Sequence, residues 1–188
     1  MLNVHRIINQ TIAEGPGTRC CVWLQGCSIH CEGCFAKDTW DFFDRLLMTP
    51  ADIIGQMYPT EEGITVCGGE PFDQKKELAE LLCLAWEKGL STVLYTGYTY
   101  ESLTNSHDEN VATILSHTDI LMDGPFVLSQ LSTENPLIGS SNQRIRFLTK
   151  RYSFKDMRRN KLEVRIKKNG IFSINGMAEY NKIHELTL

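Results

Sequence analysis

Three cysteines within eight residues, Cys27, Cys31 and Cys34, constrain this chain more than any other feature. Thiolates spaced Cys-x3-Cys-x2-Cys have to share one loop wrapped around a common centre. The fold must therefore end a buried element there and turn the chain around a metal. Iron–sulfur clusters normally take four thiolates, so three leave one iron of a four-iron cubane open to another ligand, and an open iron implies chemistry. A zinc knuckle and a disulfide group are the competing readings. Zinc requires a fourth Cys or His at short spacing, and His30 sits between the ligands.

The stretch leading into this loop, Arg19 to Gln25, is a short apolar run and reads as a buried first strand with the loop at its C-terminal end. Gly63 to Cys67, Thr92 to Tyr95 and Asp119 to Met122 repeat the pattern. They leave through Gly68-Gly69-Glu70-Pro71, Thr96-Gly97-Tyr98 and Asp123-Gly124-Pro125-Phe126. Helical signals separate them. Thr49-Pro50-Ala51-Asp52 is a capped start with Pro at the first helical position, predicting a helix to about Tyr58. Leu78, Leu81, Leu82 and Ala85 form one apolar stripe that Gly89 ends, and Val111, Ile114 and Leu115 mark a weaker helix. This alternation predicts parallel βα units, whose working residues gather at the C-terminal strand ends. Residues 129–143 read as a loop, Arg144 to Leu148 as a further strand, and Leu162 to Ile174 around Asn169-Gly170 as a hairpin with a type I′ turn.

The chain of 188 residues is short for a closed eight-stranded barrel, and a partial, open TIM-type βα barrel with a C-terminal β-hairpin extension fits it. Residues 1–150 form the main unit in this reading and 151–188 an extension packed on it. Seven cysteines, three of them crowded, fit metal ligation in a reducing compartment better than a secreted disulfide framework. Cys20, Cys21, Cys67 and Cys83 lie in apolar stretches and read as small buried hydrophobes. No apolar run reaches membrane length and the N-terminus lacks a signal-peptide core, so the expectation is a cytoplasmic protein without a membrane partner. Residues 144–168 hold 11 Lys or Arg against 2 Asp or Glu. That surplus reads as a solvated basic face, or else a docking face for an acidic partner. Aromatics are not interleaved with the charges, so nucleic acid is not expected.

The triplet and its flanks resemble the radical S-adenosylmethionine family. Glu14-Gly15-Pro16-Gly17-Thr18-Arg19, Gln25-Gly26 and Asp38-Thr39-Trp40 narrow the likeness to the activating enzymes of glycyl radical enzymes, and among them to the anaerobic ribonucleotide reductase activators. The likeness covers roughly residues 1–150. It implies that Cys27, Cys31 and Cys34 hold a 4Fe-4S cluster whose fourth iron takes S-adenosylmethionine. Gly33 lets the backbone approach closely and Phe35 covers the cluster or meets adenine. The backbone of Gly68, Gly69 and Glu70 receives the methionine amino group, and Thr96 and Asp123 line its ribose and carboxylate side. Asp123 to Phe126 and Gly139 to Arg144 also look like stretches of the reductase activators. Glu14 departs from the Asp usual before Gly-Pro-Gly, and Ile138 from a basic residue, which leaves the chemistry intact and the target open.

The implied reaction is reductive cleavage of S-adenosylmethionine to a 5′-deoxyadenosyl radical that creates a glycyl radical on a partner enzyme. Flavodoxin or ferredoxin would supply the electron. No protein side chain is needed as an acid, base or nucleophile, because the cofactor pair carries the chemistry. Radical modification of a peptide or small molecule, and a non-catalytic iron–sulfur module, are the alternatives.

Overall fold

The computed structural model describes residues 1–132, 134–135, 137–157, 162–166, 170 and 172–176. Four strands run parallel and side by side: β2 (Arg19–Leu24), β4 (Gly63–Gly68), β5 (Ser91–Tyr95) and β6 (Ile120–Asp123). They are the strands that the apolar runs predict. Three antiparallel strands extend the sheet: β1 (Leu2–Thr11) pairs with β2, β3 (Leu46–Met48) with β1, and β7 (Arg144–Phe147) with β6. The order is β3-β1-β2-β4-β5-β6-β7. The fold is thus mixed α/β with a parallel centre. The run at Arg19 is the second strand and not the first, because Leu2 and Val4, both fully buried, already commit the N-terminus to the sheet.

The helices are α1 (Pro50–Gly55), α2 (Lys75–Glu87), α3 (Tyr100–Thr104) and α4 (Glu109–Ser116). Thr49 and Asp52 exchange bonds in a capping box at the start of α1, which stops short of Tyr58. The α2 stripe is buried at Leu78, Leu81, Leu82 and Ala85 as the periodicity requires, each leucine contributing roughly 1.5–3 kcal/mol. A left-handed Gly89 (φ 72°) ends the turn, and Leu90 N–H closes on Ala85 O.

The parallel strands are buried on both faces, and alternate residues serve different neighbours. Cys20, Val22, Leu24, Ile64, Val66, Leu94 and Leu121 join the helices in the main core. Val93, Ile120 and Met122 point the other way and pack with Leu137, Ile145, Phe147, Tyr152 and Met157 in a second core. Beside the second core lies the fully buried Arg19. Its guanidinium donates to Thr65 Oγ1 (2.8 Å), Pro16 O (3.0 Å), Ser91 Oγ (2.8 Å), Ile64 O (2.7 Å) and Ser91 O (3.0 Å). The Tyr152 hydroxyl donates to the same Ser91 Oγ at 2.9 Å, so the chain after residue 150 caps the N-terminal ends of the strands.

The expected hairpin is β8 (Leu162–Ile166) against β9 (Phe172–Gly176). Gly170 has φ 82°, while Asn169, the other half of the expected turn, lies outside the described residues. Much of the basic surplus is committed to carboxylates. Arg144 and Arg146 pair with Asp123 and Glu101, Arg151 with Asp119 and Arg165 with Glu163. No helix among the described residues is long and apolar enough to cross a membrane.

Candidate metal and cofactor site

A cavity of about 320 Å³ opens at the C-terminal ends of the parallel strands, within the range of small-molecule sites. Cys27, Cys31 and Cys34 all line it, and so do Phe35, Gly68, Gly69, Glu70 and Thr96. Gly33 and Asp123 do not.

The cysteine loop is held from both sides before any metal enters. Gly26 N–H donates to Thr39 O at 2.7 Å and Cys27 N–H to Trp40 O at 3.0 Å, which explains why Asp38-Thr39-Trp40 accompanies the triplet. From the other side, Glu70 N–H donates to Gly26 O at 2.9 Å, while Ser28 N–H and Oγ both donate to Asp73 at 2.8 Å. Trp40 stacks on His30 at 4.7 Å. Behind them His5, which no spacing rule singles out, is buried with Nδ1 2.7 Å from Gln25 Oε1 and Nε2 3.1 Å from Asp38 Oδ2. Gln25 Nε2 in turn donates to Asp41 O at 2.6 Å, so His5 and Gln25 brace the whole clasp.

Burial pushes Cys27 and Cys31 up, and the N–H groups of His30 and Ile29 at Cys27 and of Phe126 at Cys31 oppose it. Ala36 N–H points at Cys34 Sγ at 3.4 Å. Backbone donors aimed at sulfur are how proteins tune an iron–sulfur centre. Among the described residues no three Cys, His, Asp or Glu converge on a single ion, while the three thiols share the wall of one cavity.

The glycines of Gly68-Gly69 are demanded first by packing. A Cβ on Gly69 would stand 1.9 Å from Gly26 O, and one on Gly68 2.4 Å from Leu24 N. They let the end of β4 lie directly on the cysteine loop. Gly33 (φ 76°) is similarly crowded by Leu128. Glu70 is 1% exposed and accepts from Phe72 N–H (3.0 Å), Thr96 Oγ1 (2.9 Å) and Gly97 N–H (2.9 Å), tying β4 to β5. Burial raises its carboxyl to about 7 against those donors. Phe35 stands at the rim, 66% exposed, with its ring edge on Phe126.

Asp123 is fully buried and committed elsewhere: it bonds Arg144, Arg146 Nε (2.9 Å) and Tyr100 N–H (2.8 Å), and its neighbour Gly124 reaches the cavity instead. The Gly139 to Arg144 stretch, no obvious structural necessity in the sequence, proves to clamp this turn. Gln143 Nε2 donates to Gly124 O (3.1 Å) and Asn142 Nδ2 to Pro125 O (2.7 Å), while Ser140 Oγ accepts from Val127 N–H (3.1 Å).

The deep side of the cavity adds residues that the motifs do not mark: Glu14, Trp23, Trp40, Cys67 and Tyr95. Among the described residues Trp23 Nε1, Trp40 Nε1 and Tyr95 OH are buried with no partner, although buried donors normally find one. The Glu14 carboxyl is raised to about 7 by burial, with Arg6 and Asn175 opposing. Of the cysteines read as structural, Cys20 and Cys21 are fully buried, and Cys67 lies 3.5 Å from Cys21 Sγ while also facing the cavity.

A family model described as a 4Fe-4S single cluster domain matches residues 13–146. The chain is 30% identical over 158 residues to the anaerobic ribonucleoside-triphosphate reductase-activating protein of Vibrio cholerae, covering 79% of this chain and 99% of that one. It is equally identical, over 158 residues, to the protein of the same name in Escherichia coli, with 78% and 99% covered. The pyruvate formate-lyase-activating enzyme of Clostridium pasteurianum is 30% identical over 130 residues, covering 65% of this chain and 51% of that enzyme.

Proposed function

The chain belongs to the radical S-adenosylmethionine, 4Fe-4S single-cluster family that activates glycyl radical enzymes, and from that premise we propose that it cleaves S-adenosylmethionine reductively and installs a glycyl radical on a partner of the anaerobic ribonucleotide reductase kind. The observation that carries the reading is that the three thiols, the Gly68–Glu70 turn and Thr96 line one cavity. The donor set suits the cluster: three soft thiols on one cavity wall, Cys34 Sγ accepting from Ala36 N–H, beside donors that are unpartnered among the described residues.

In this assignment Cys27, Cys31 and Cys34 hold the cluster, and the main chain of Gly68, Gly69 and Glu70 receives the amino group of the cofactor. Glu70 keeps that turn rigid through Thr96 and Gly97. Phe35 and Phe126 screen the rim from water. Asp123 serves as a positioning residue, holding Gly124 at the cavity through its arginines. Held there, cluster and cofactor would supply the radical chemistry that abstracts hydrogen from the glycine α-carbon of the partner. An external one-electron donor, flavodoxin or ferredoxin, is the proposed reductant, supported by the half-buried setting of Cys31 and Cys34.

The consecutive parallel order of β2, β4, β5 and β6, with the site at their C-terminal ends, supports an open part of a TIM-type barrel. Residues 1–150 are its proposed unit, with 151–188 packed on it through Tyr152 and the hairpin. The test is anaerobic: cluster-loaded protein, dithionite and S-adenosylmethionine give 5′-deoxyadenosine and methionine, and adding the partner gives a glycyl radical doublet in electron paramagnetic resonance. An intact cluster with no 5′-deoxyadenosine would sink the reading.

A further inference from the structure

The hairpin of β8 and β9 lies beyond the family model, which stops at residue 146, and the Vibrio and Escherichia relatives are used up at 99% of their length by about four fifths of this chain. It is nevertheless built into the cavity. Gly176 is part of the lining. Three contacts bolt the hairpin to the end of β1: Thr11 Oγ1 donates to Glu163 Oε2 (2.6 Å), Asn175 Nδ2 donates to Thr11 Oγ1 (3.0 Å), and Arg165 Nη1 donates to Asn9 O (2.6 Å). Thr11 is fully buried and also accepts from Ala13 N–H (3.2 Å), so its hydroxyl is a saturated hub.

Glu14 lies among Cys21, Cys67 and Tyr95, whose ionisation its charge influences. The hairpin, whose Gly176 shares the cavity wall with Glu14, Trp23 and Tyr95, therefore borders its deep side, where Trp23 Nε1 and Tyr95 OH stand buried without acceptors among the described residues. Two donors lacking acceptors suit a ligand that brings carbonyl oxygens. A polypeptide main chain does so at every residue.

We propose that the β8–β9 hairpin is the partner-selecting wall of the cavity, and that the glycine-bearing loop of the partner lies between this wall and the sheet with its carbonyls on Trp23 and Tyr95. This rests on the activase reading and adds which part of the chain recognises the substrate. Asn175 is a positioning residue that fixes the wall against Thr11.

The test uses the full-length, cluster-loaded protein with the anaerobic ribonucleoside-triphosphate reductase of its own cell as probe. Asn175→Ala raises the KM for the reductase about ten-fold, the size of one lost buried hydrogen bond, while 5′-deoxyadenosine formed without reductase stays within about two-fold. An unchanged KM overturns the proposal, and so does an equal loss in both assays, which would make the hairpin merely structural. A second readout needs no variant. A synthetic peptide spanning the reductase glycine slows amide hydrogen exchange in residues 162–166 and 172–176 of the wild type, and unaltered exchange there overturns the proposal. Absence of 5′-deoxyadenosine from the wild type would instead sink the activase reading itself.

Discussion

The same parallel strands end in two opposite ways. At their N-terminal ends Arg19 is fully buried with five hydrogen bonds, all to neutral oxygens, and Tyr152 seals Ser91 beside it. Around the cavity reached from their C-terminal ends there are free thiols, two carboxyls raised to about 7, and three buried donors without partners. The guanidinium uses all of its donors, while the cavity side, among the described residues, leaves donors waiting. Unpaired buried polar groups cost stability, so their concentration on one side marks where binding energy is to be recovered from ligands.

Breaking the open side should cost activity and little else. Cys27→Ala removes a ligand, and 5′-deoxyadenosine formation falls on the order of a thousand-fold or more because the cofactor pair carries the chemistry. The brown cluster absorbance disappears with it. Chemical denaturation of the metal-free protein shifts by about 1 kcal/mol or less, since the loop is held by Thr39, Trp40 and Asp73 independently of the thiol. A large loss of metal-free stability would erase the contrast between the two regions.

The closed end should respond in the reverse currency. Arg19→Ala leaves the carbonyls of Pro16, Ile64 and Ser91 without their donor and opens a cavity, costing roughly 3–5 kcal/mol. At about 2–4 °C per kcal/mol for a chain of this size, the midpoint of thermal unfolding falls by about 10 °C. Cluster content per folded molecule, read from iron and sulfide, stays the same.

The raised carboxyls give the open side a pH signature. Glu14 and Glu70 both move up from 4.5 to about 7, with burial the main cause. Between those values the folded state keeps protons that the unfolded state releases, so stability is full below about 4.5 and declines as pH rises through 7, by up to ~3 kcal/mol per group. Guanidinium midpoints of the metal-free protein measured at pH 5 and pH 8 should differ more for the wild type than for Glu14→Gln. An equal difference would mean that Glu14 does not titrate in this window.

How much of this was legible follows from the range of each signal. The Thr49-Pro50 cap, the α2 stripe and the two strands of the hairpin are local patterns, and each is found where its chemistry predicts. The closely spaced cysteines are local too, and their thiols share one cavity wall. Strand β3 was not legible, because its partner β1 lies far back along the chain, and β1 was not, because two register shifts break the alternation that would mark a strand. Asp123 was expected at the cavity from the family resemblance, but Arg144 and Arg146 on the adjoining β7 take its carboxylate. Trp23 and Tyr95 were missed for another reason. In strands buried on both faces, residues facing helices and residues facing a cavity are equally apolar, so no alternation separates them. Their unpartnered polar atoms mark them, and that mark exists only in three dimensions.

Two tyrosines set the smallest test of the contrast. Tyr152 and Tyr95 both pack with the second core, but the Tyr152 hydroxyl donates to Ser91 Oγ at 2.9 Å, while the Tyr95 hydroxyl is buried without a partner. Tyr152→Phe therefore loses a made bond and should lower stability by about 1 kcal/mol, leaving the KM for the partner unchanged. Tyr95→Phe loses no bond within the protein and removes an unsatisfied group, so its stability should hold or rise by about 1 kcal/mol. Its cost should fall instead on the partner, whose KM increases while 5′-deoxyadenosine formed without partner is retained. If Tyr95→Phe destabilises the protein as much as Tyr152→Phe does, its hydroxyl already has an acceptor, and the open side is not the region of unmet bonds that sets it apart from the closed one.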